Sequence, residues 1–229
     1  MTATLVYLTP KCATLFTDGM MTGPNGAMIA AKQKVQIAAH QSAAFVGRGP
    51  DMFGALLAVA VSQVQGGFGD LLRAFPEQVV GAHRTMMAAL QAGHSVSADP
   101  ALIDGVLVGI DASGRARGIC VSSYEDDGHP PWTAKALTPA VPPSAAQLRF
   151  TPDDIQPALA FASPWPASMD FDLAVSSVKP WEPCPDVREH GRRIMRAQRS
   201  SGTVGGFCQM TTVTAGAVVT EILERWPNL

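Results

Sequence analysis

The run Thr2-Ala3-Thr4-Leu5-Val6-Tyr7-Leu8-Thr9-Pro10-Lys11-Cys12-Ala13-Thr14-Leu15-Phe16-Thr17-Asp18-Gly19 decides how the rest of the chain reads. Thr4 to Leu8 and Ala13 to Thr17 are β-rich segments separated by Pro10-Lys11, which predicts a hairpin whose second strand ends at Asp18-Gly19. Thr2, Asp18 and Lys34 follow one another at equal intervals of 16 residues. Removal of Met1 would put a hydroxyl and an α-amine on the same residue, Thr2. An α-amine with an ordinary pKa of about 7.7–8.0 suits a general base near neutrality, and a threonine hydroxyl needs such a base to act as a nucleophile. A lysine close to that hydroxyl favours its deprotonated form, and an aspartate beside the lysine keeps the ammonium charged and in place.

Outward from this stretch, the 229 residues are 47% apolar and 16% charged, which fits a single globular domain with a sizeable core. A net charge of −2 gives no electrostatic footprint for nucleic acid or an anionic membrane. Cys12, Cys120, Cys184 and Cys208 lack ligand spacing and read as reduced thiols, so neither metal nor disulfide is expected. The first ten residues lack a basic leader and no apolar run is long enough to span a bilayer, which makes the cytoplasm the expected location.

Beyond the hairpin, Thr22 to Gly26 is dense in turn formers, and Val35 to Ala38 and Ser42 to Val46 predict two strands, with Lys34 at the entrance of the first. Asp51 is the expected N-cap of a helix carrying Phe53, Leu57 and Val61 on its apolar face. A second helical stretch, broken or restarted at Pro76, carries Val79, His83, Met86 and Leu90; His83 reads as a core-edge residue, not a ligand. Strands follow at Ile103 to Ile110 and Arg117 to Ser123, then a helix from Asp186 to Ser200 and two closing strands at Cys208 to Thr214 and Ala217 to Leu223.

The segment from Thr2 to Ser123 resembles the proteasome β-subunit and the HslV peptidase among the N-terminal nucleophile hydrolases. The matching strings are Thr-Ala-Thr-Leu-Val at Thr2 to Val6, Phe-Thr-Asp-Gly at Phe16 to Gly19, Lys34-Val35, Ala-Phe-Val-Gly at Ala44 to Gly47, and Gly-x-x-x-Asp from Gly47 to Asp51. The resemblance implies an α+β fold, a four-layer αββα sandwich with two central antiparallel sheets. It implies a threonine peptidase that cleaves amide bonds, with Thr2 as nucleophile, Lys34 and Asp18 in support, and the Gly47 N–H receiving the oxyanion. No metal or organic cofactor is required, and homo-oligomers, in ring form, are implied; no ATPase partner is assigned.

The tail departs from that family. Ser201 and Val204 stand where active members place an Asp and a Ser before the glycine pair Gly205-Gly206, and no Ser-Gly-Ser type motif precedes the third helix. These departures favour an alternative, a catalytically silent scaffold or assembly protein of the same fold. Twelve of the eighteen prolines and three of the four tryptophans lie between Pro130 and Pro185, which keeps helices there short, around Ser144 to Leu148 or Asp153 to Ala162. This 130–185 insert within the single 1–229 domain reads either as a surface excursion or as a partner-binding segment anchored by Trp132, Trp165 or Trp181. Arg188, Arg192, Arg196 and Arg199 stack on one helix face, either solvated or turned to an acidic surface such as Glu125-Asp126-Asp127 of a neighbouring subunit.

Overall fold

Period-two alternation in the opening hairpin sorts its side chains into two different cores. β1 (Thr4–Leu8) and β2 (Ala13–Asp18) pair antiparallel, with Thr4 opposite Thr17 and Leu8 opposite Ala13. Val6, Leu8, Ala13 and Leu15 point to one side, and Leu5, Tyr7 and Phe16 to the other. Every residue of both strands is buried, so the hairpin is interior on both faces. The computed structural model that shows this describes residues 2–23, 27–96, 99–126, 128–137, 158–163, 186–199, 202 and 204–227.

The hairpin forms the centre of a five-stranded antiparallel sheet in the order β10-β1-β2-β11-β12, with β10 (Ala158–Ser163), β11 (Phe207–Val213) and β12 (Val218–Arg225). A second five-stranded antiparallel sheet runs β5-β6-β7-β8-β9, from β5 (Gln36–Ala38), β6 (Ala43–Arg48), β7 (Asp104–Ile110), β8 (Ala116–Ser122) and β9 (Ala134–Ala136). Val106, Val108 and Ile110 of β7 meet Val6 and Leu15 between the two sheets, whereas Leu107 turns outward to the helices. Those helices are α1 (Asp51–Ser62) and α2 (Phe68–Gln91), which bury Phe53, Leu57, Leu71, Phe75, Val79 and Met86 against the second sheet. On the other side α3 (Val187–Gln198) lays Ile194 and Met195 over Leu5, Tyr7 and Phe16. Helix, sheet, sheet, helix is the αββα sandwich, an α+β fold with three described helices and a separate apolar cluster at each layer boundary.

Several local expectations are corrected. α2 runs through Pro76 without a break. Proline removes one backbone donor, but Leu71, Phe75 and Val79 follow one another at 4-residue steps around it and are fully buried, so packing overrides the local penalty. Asp51 does not cap α1; Pro50 occupies the cap and the Asp51 carboxylate pairs with Lys32. Around the turn formers at 22–26, of which 24–26 lie outside the described residues, β3 (Met20–Thr22) and β4 (Met28–Ala31) pair as an additional two-stranded antiparallel ribbon.

Each arginine of the stripe meets a group of its own chain. Arg188 pairs with Glu221 at 2.7 Å, Arg196 forks onto Glu224 at 2.8 Å, Arg192 pairs with Glu189, and Arg199 lies 5.0 Å over the Trp226 ring. Asp126 is taken by Lys135 at 3.1 Å. Within the chain the stripe thus reaches across to β12 and its end.

Within the 130–185 stretch, β9 and β10 each add an edge strand to one sheet, so 158–163 is strand and not the end of a helix. β1 needs that partner, because a central strand with open N–H and C=O groups on one side would leave them unpaired. Trp132 packs on the α1–α2 core with its ring 4.8 Å from that of His83, whose Nε2 lies 3.1 Å from the Pro100 carbonyl oxygen. Ser144 to Leu148, Trp165 and Trp181 lie outside the described residues.

Phe75 is wholly buried and meets Phe45 edge to face at 6.2 Å. Phe75→Ala is expected to lower unfolding stability by about 3–5 kcal/mol in urea titration, because α2 cannot collapse into the void without leaving the sheet.

Candidate active site

Asp18 closes β2 with no exposed surface and binds four donors. Its Oδ1 accepts from Lys34 Nζ at 2.8 Å and from the Ala3 N–H at 3.0 Å; its Oδ2 accepts from the N–H groups of Met20 at 3.1 Å and Gly205 at 3.3 Å. A carboxylate has about four lone-pair directions, so all are used. Two of the predicted residues, Asp18 and Lys34, are therefore in direct contact. Thr2 is joined to them through the next peptide, because the N–H that Asp18 binds is that of Ala3.

Lys34 sits just before β5 with a side chain 9% exposed. Burial pulls its ammonium below the ordinary 10.5, and the Asp18 carboxylate pulls in the opposite direction, with a smaller contribution from Asp51. Burial thus makes Lys34 give up its proton more readily than an exposed lysine does, and such shifted groups are common in functional clefts.

Thr2, 5% exposed, lines a cavity of about 390 Å³ together with Lys34 and Gly47. Met20 and Met21 from β3, Ile29 from β4 and Met52 from α1 give this cavity apolar surface, and Lys32 and Asp51, paired with each other, add charge. Gly47 lies in β6 beneath α1: a Cβ there would stand 3.0 Å from the Gly54 Cα and 3.1 Å from the Phe53 ring, so glycine lets the helix approach. Gly206, with φ +76°, turns the chain into β11 where a Cβ would meet the Gly19 and Met20 backbone at 3.1 and 3.2 Å. This tight corner places the Gly205 N–H on Asp18.

Further residues belong to the site that sequence reasoning did not assign. Arg48, 5% exposed, donates from Nε to the Thr2 carbonyl at 2.8 Å and pairs through Nη1 with Asp104, itself 2% exposed. The Tyr124 hydroxyl donates to the same Asp104 oxygen at 3.1 Å, and burial together with that carboxylate pushes the phenol up to about 12. A lone aspartate opening an apolar strand was the available signal. Cys208, the register partner of Asp18, is no rival nucleophile, because burial pushes its thiol up to about 12. Val204, where a supporting serine stands in the resembled family, is fully buried among apolar side chains beside Ala3 and Leu5. Ser201 lies outside the described residues. Among the described residues no group of three or more His, Cys, Asp or Glu side chains is placed to hold a metal ion, and no helix is long and apolar enough to cross a membrane.

This is an α+β sandwich of proteasome-like fold, and solved structures of that fold cover nearly the whole chain. It is similar to Anbu, an ancestral β-subunit, from Yersinia bercovieri, with 8% identity over 97% of this chain and 87% of that one and a TM-score of 0.63. It is similar also to Anbu from Hyphomicrobium sp. strain MC1, with 9% identity over 98% and 88% and a TM-score of 0.62, and to a Gly-1 mutant of Anbu from that strain, with 11% identity, the same coverage and the same TM-score. No protein-family model and no curated protein matches the chain. The resemblance to the proteasome β-subunit and the HslV peptidase is corrected accordingly: Anbu structures stand in that place, and at such identities the likeness is one of fold.

Lys34 in its folded environment binds its proton more weakly than in the unfolded chain, so stability rises with pH from its folded value up to about 10.5. In Asp18→Asn the counter-charge is gone. The Lys34 ammonium is expected to titrate lower than in the parent, read from its ε-methylene carbon by NMR, and stability at neutral pH to fall by about 3–5 kcal/mol.

Proposed function

We propose that the chain is a threonine-type N-terminal nucleophile hydrolase that cleaves amide bonds, in peptides or small amides, after removal of Met1. One observation supports the reading above all: the Asp18–Lys34 ion pair is buried, its Asp18 holds the peptide that follows Thr2, and its Lys34 lines a single cavity together with Thr2 and Gly47. In the proposed mechanism the Thr2 hydroxyl oxygen attacks the substrate carbonyl carbon while the Thr2 α-amine takes its proton, directly or through a water. Lys34 favours the deprotonated oxygen, Asp18 orients Lys34, and the Gly47 N–H donates to the oxyanion. The amine then returns the proton to the leaving nitrogen, leaving an ester on Thr2 that water hydrolyses. The apolar walls from Met20, Met21 and Met52 suit a substrate with an apolar side chain.

A second reading, a catalytically silent scaffold of the same fold, is favoured by Val204, whose burial among apolar groups leaves no hydroxyl at that position to support the nucleophile. Under either reading a homo-oligomer is proposed, since the similar Yersinia protein is described as a β-subunit. Light scattering is expected to return a mass several times that of one chain; a monomer at working concentration counts against assembly.

Intact-mass measurement on protein from its native host separates the two readings. The hydrolase is expected to lack Met1 and to gain one adduct with a peptide vinyl sulfone, lost in Thr2→Ala. A retained Met1, or an adduct that survives Thr2→Ala, leaves the scaffold.

A further inference from the structure

The Thr2–Ala3 peptide unit is held at both edges, and by a different buried ion pair at each. Its N–H donates to Asp18, the partner of Lys34; its C=O accepts from Arg48, the partner of Asp104. A trans peptide is planar with N–H and C=O on opposite sides, so fixing both groups fixes the orientation of the plane. The Thr2 Cα lies in that plane, and its amine and side chain branch from it. Only the torsions of Thr2 itself remain to place the hydroxyl and the amine.

The two grips come from different sheets. Asp18 ends β2 of the first, whereas Arg48 ends β6 and Asp104 begins β7 of the second, where the two are register partners. Arg48 can hold two acceptors at once because its guanidinium fork is rigid: Nε reaches the Thr2 oxygen while Nη1 stays on the carboxylate. Lysine has a single nitrogen and cannot span the same two acceptors with fixed geometry. Tyr124 holds the Asp104 oxygen from a further direction, so the carboxylate is itself oriented.

We propose that Arg48, braced by Asp104 and Tyr124, is a positioning residue for the Thr2 nucleophile, supplying from the second sheet the support that Val204 does not provide from the tail. The assignment rests on the hydrolase reading for its catalytic meaning, and on geometry alone for the clamp. Arg48 touches no reacting atom. Its effect is on how often the Thr2 hydroxyl stands in line with a bound carbonyl, a quantity to which rates respond steeply.

The test uses the full chain with Met1 removed. Arg48→Lys retains the charge and loses the fork; the double variant Arg48→Met with Asp104→Leu removes the buried pair as a unit and serves if the single variant does not fold. Two readouts are taken on folded protein: labelling of Thr2 by a peptide vinyl sulfone, resolved into its maximal rate and its half-saturating concentration, and amide hydrogen exchange at Ala3 by NMR. The expected result is a maximal rate about 10- to 100-fold lower with the half-saturating concentration within about 2-fold of the parent, and Ala3 exchange at least about 10-fold faster. A folded variant with the parental maximal rate and parental Ala3 exchange overturns the proposal, as does a variant whose half-saturating concentration alone changes. If the parent itself is not labelled, the hydrolase reading fails, and Ala3 exchange alone then decides the clamp: faster exchange in the variant supports it, unchanged exchange overturns it.

Discussion

The carboxylate of Asp18 is the interaction on which the organisation of this molecule turns. Four donors converge on it from parts of the chain far apart in sequence: Ala3, Met20, Lys34 and Gly205. A buried carboxylate is costly unless every lone pair finds a partner, so none of these segments can move away alone. The consequence is local order at the entrance to β1, at the β2–β3 corner, before β5 and before β11. A cavity bordered by such segments keeps its shape without a ligand.

The Arg48–Asp104 pair stands as a counterpart on the other sheet. Neither pair is a strong source of stability, since desolvation cancels much of the attraction between buried charges. What they supply is direction. The sandwich itself is held by three apolar clusters, one at each layer boundary, and those clusters tolerate small shifts of one sheet against the other. The charged pairs do not: Arg48 of the second sheet bonds the Thr2 carbonyl just ahead of β1 of the first. Layer packing and site geometry are thus joined through one peptide unit.

Much of this was legible from the residues. The β-rich composition of Thr4 to Leu8 and Ala13 to Thr17, parted by Pro10-Lys11, is a local property, and it located the central hairpin and its end at Asp18. The apolar steps through Phe53, Leu57 and Val61 and through Val79 and Met86 located the faces of α1 and α2 in the same way. Errors arose where a local preference met a tertiary demand. Pro76 signals a break, but Phe75 and Val79 are held by the sheet. Asp51 signals a cap, but Lys32 from the chain after β4 reaches its carboxylate first. The pairing of the α3 arginines with Glu221 and Glu224 was not legible, because those glutamates lie on a strand whose position beside the helix no spacing reveals.

The sequence by itself determined the strand positions, the helix faces and the equal spacing of Thr2, Asp18 and Lys34, because side-chain periodicity and turn chemistry act over a few residues; the expectation of an αββα sandwich came from the resemblance of its motif strings. Only the tertiary structure decided that Asp18 binds Gly205, that Arg48 grips Thr2, and that the β3–β4 ribbon and α1 wall one cavity. Those contacts join residues separated by dozens to nearly two hundred positions. Their distances are set by how two twisted sheets and their helices pack, a quantity that no local pattern encodes.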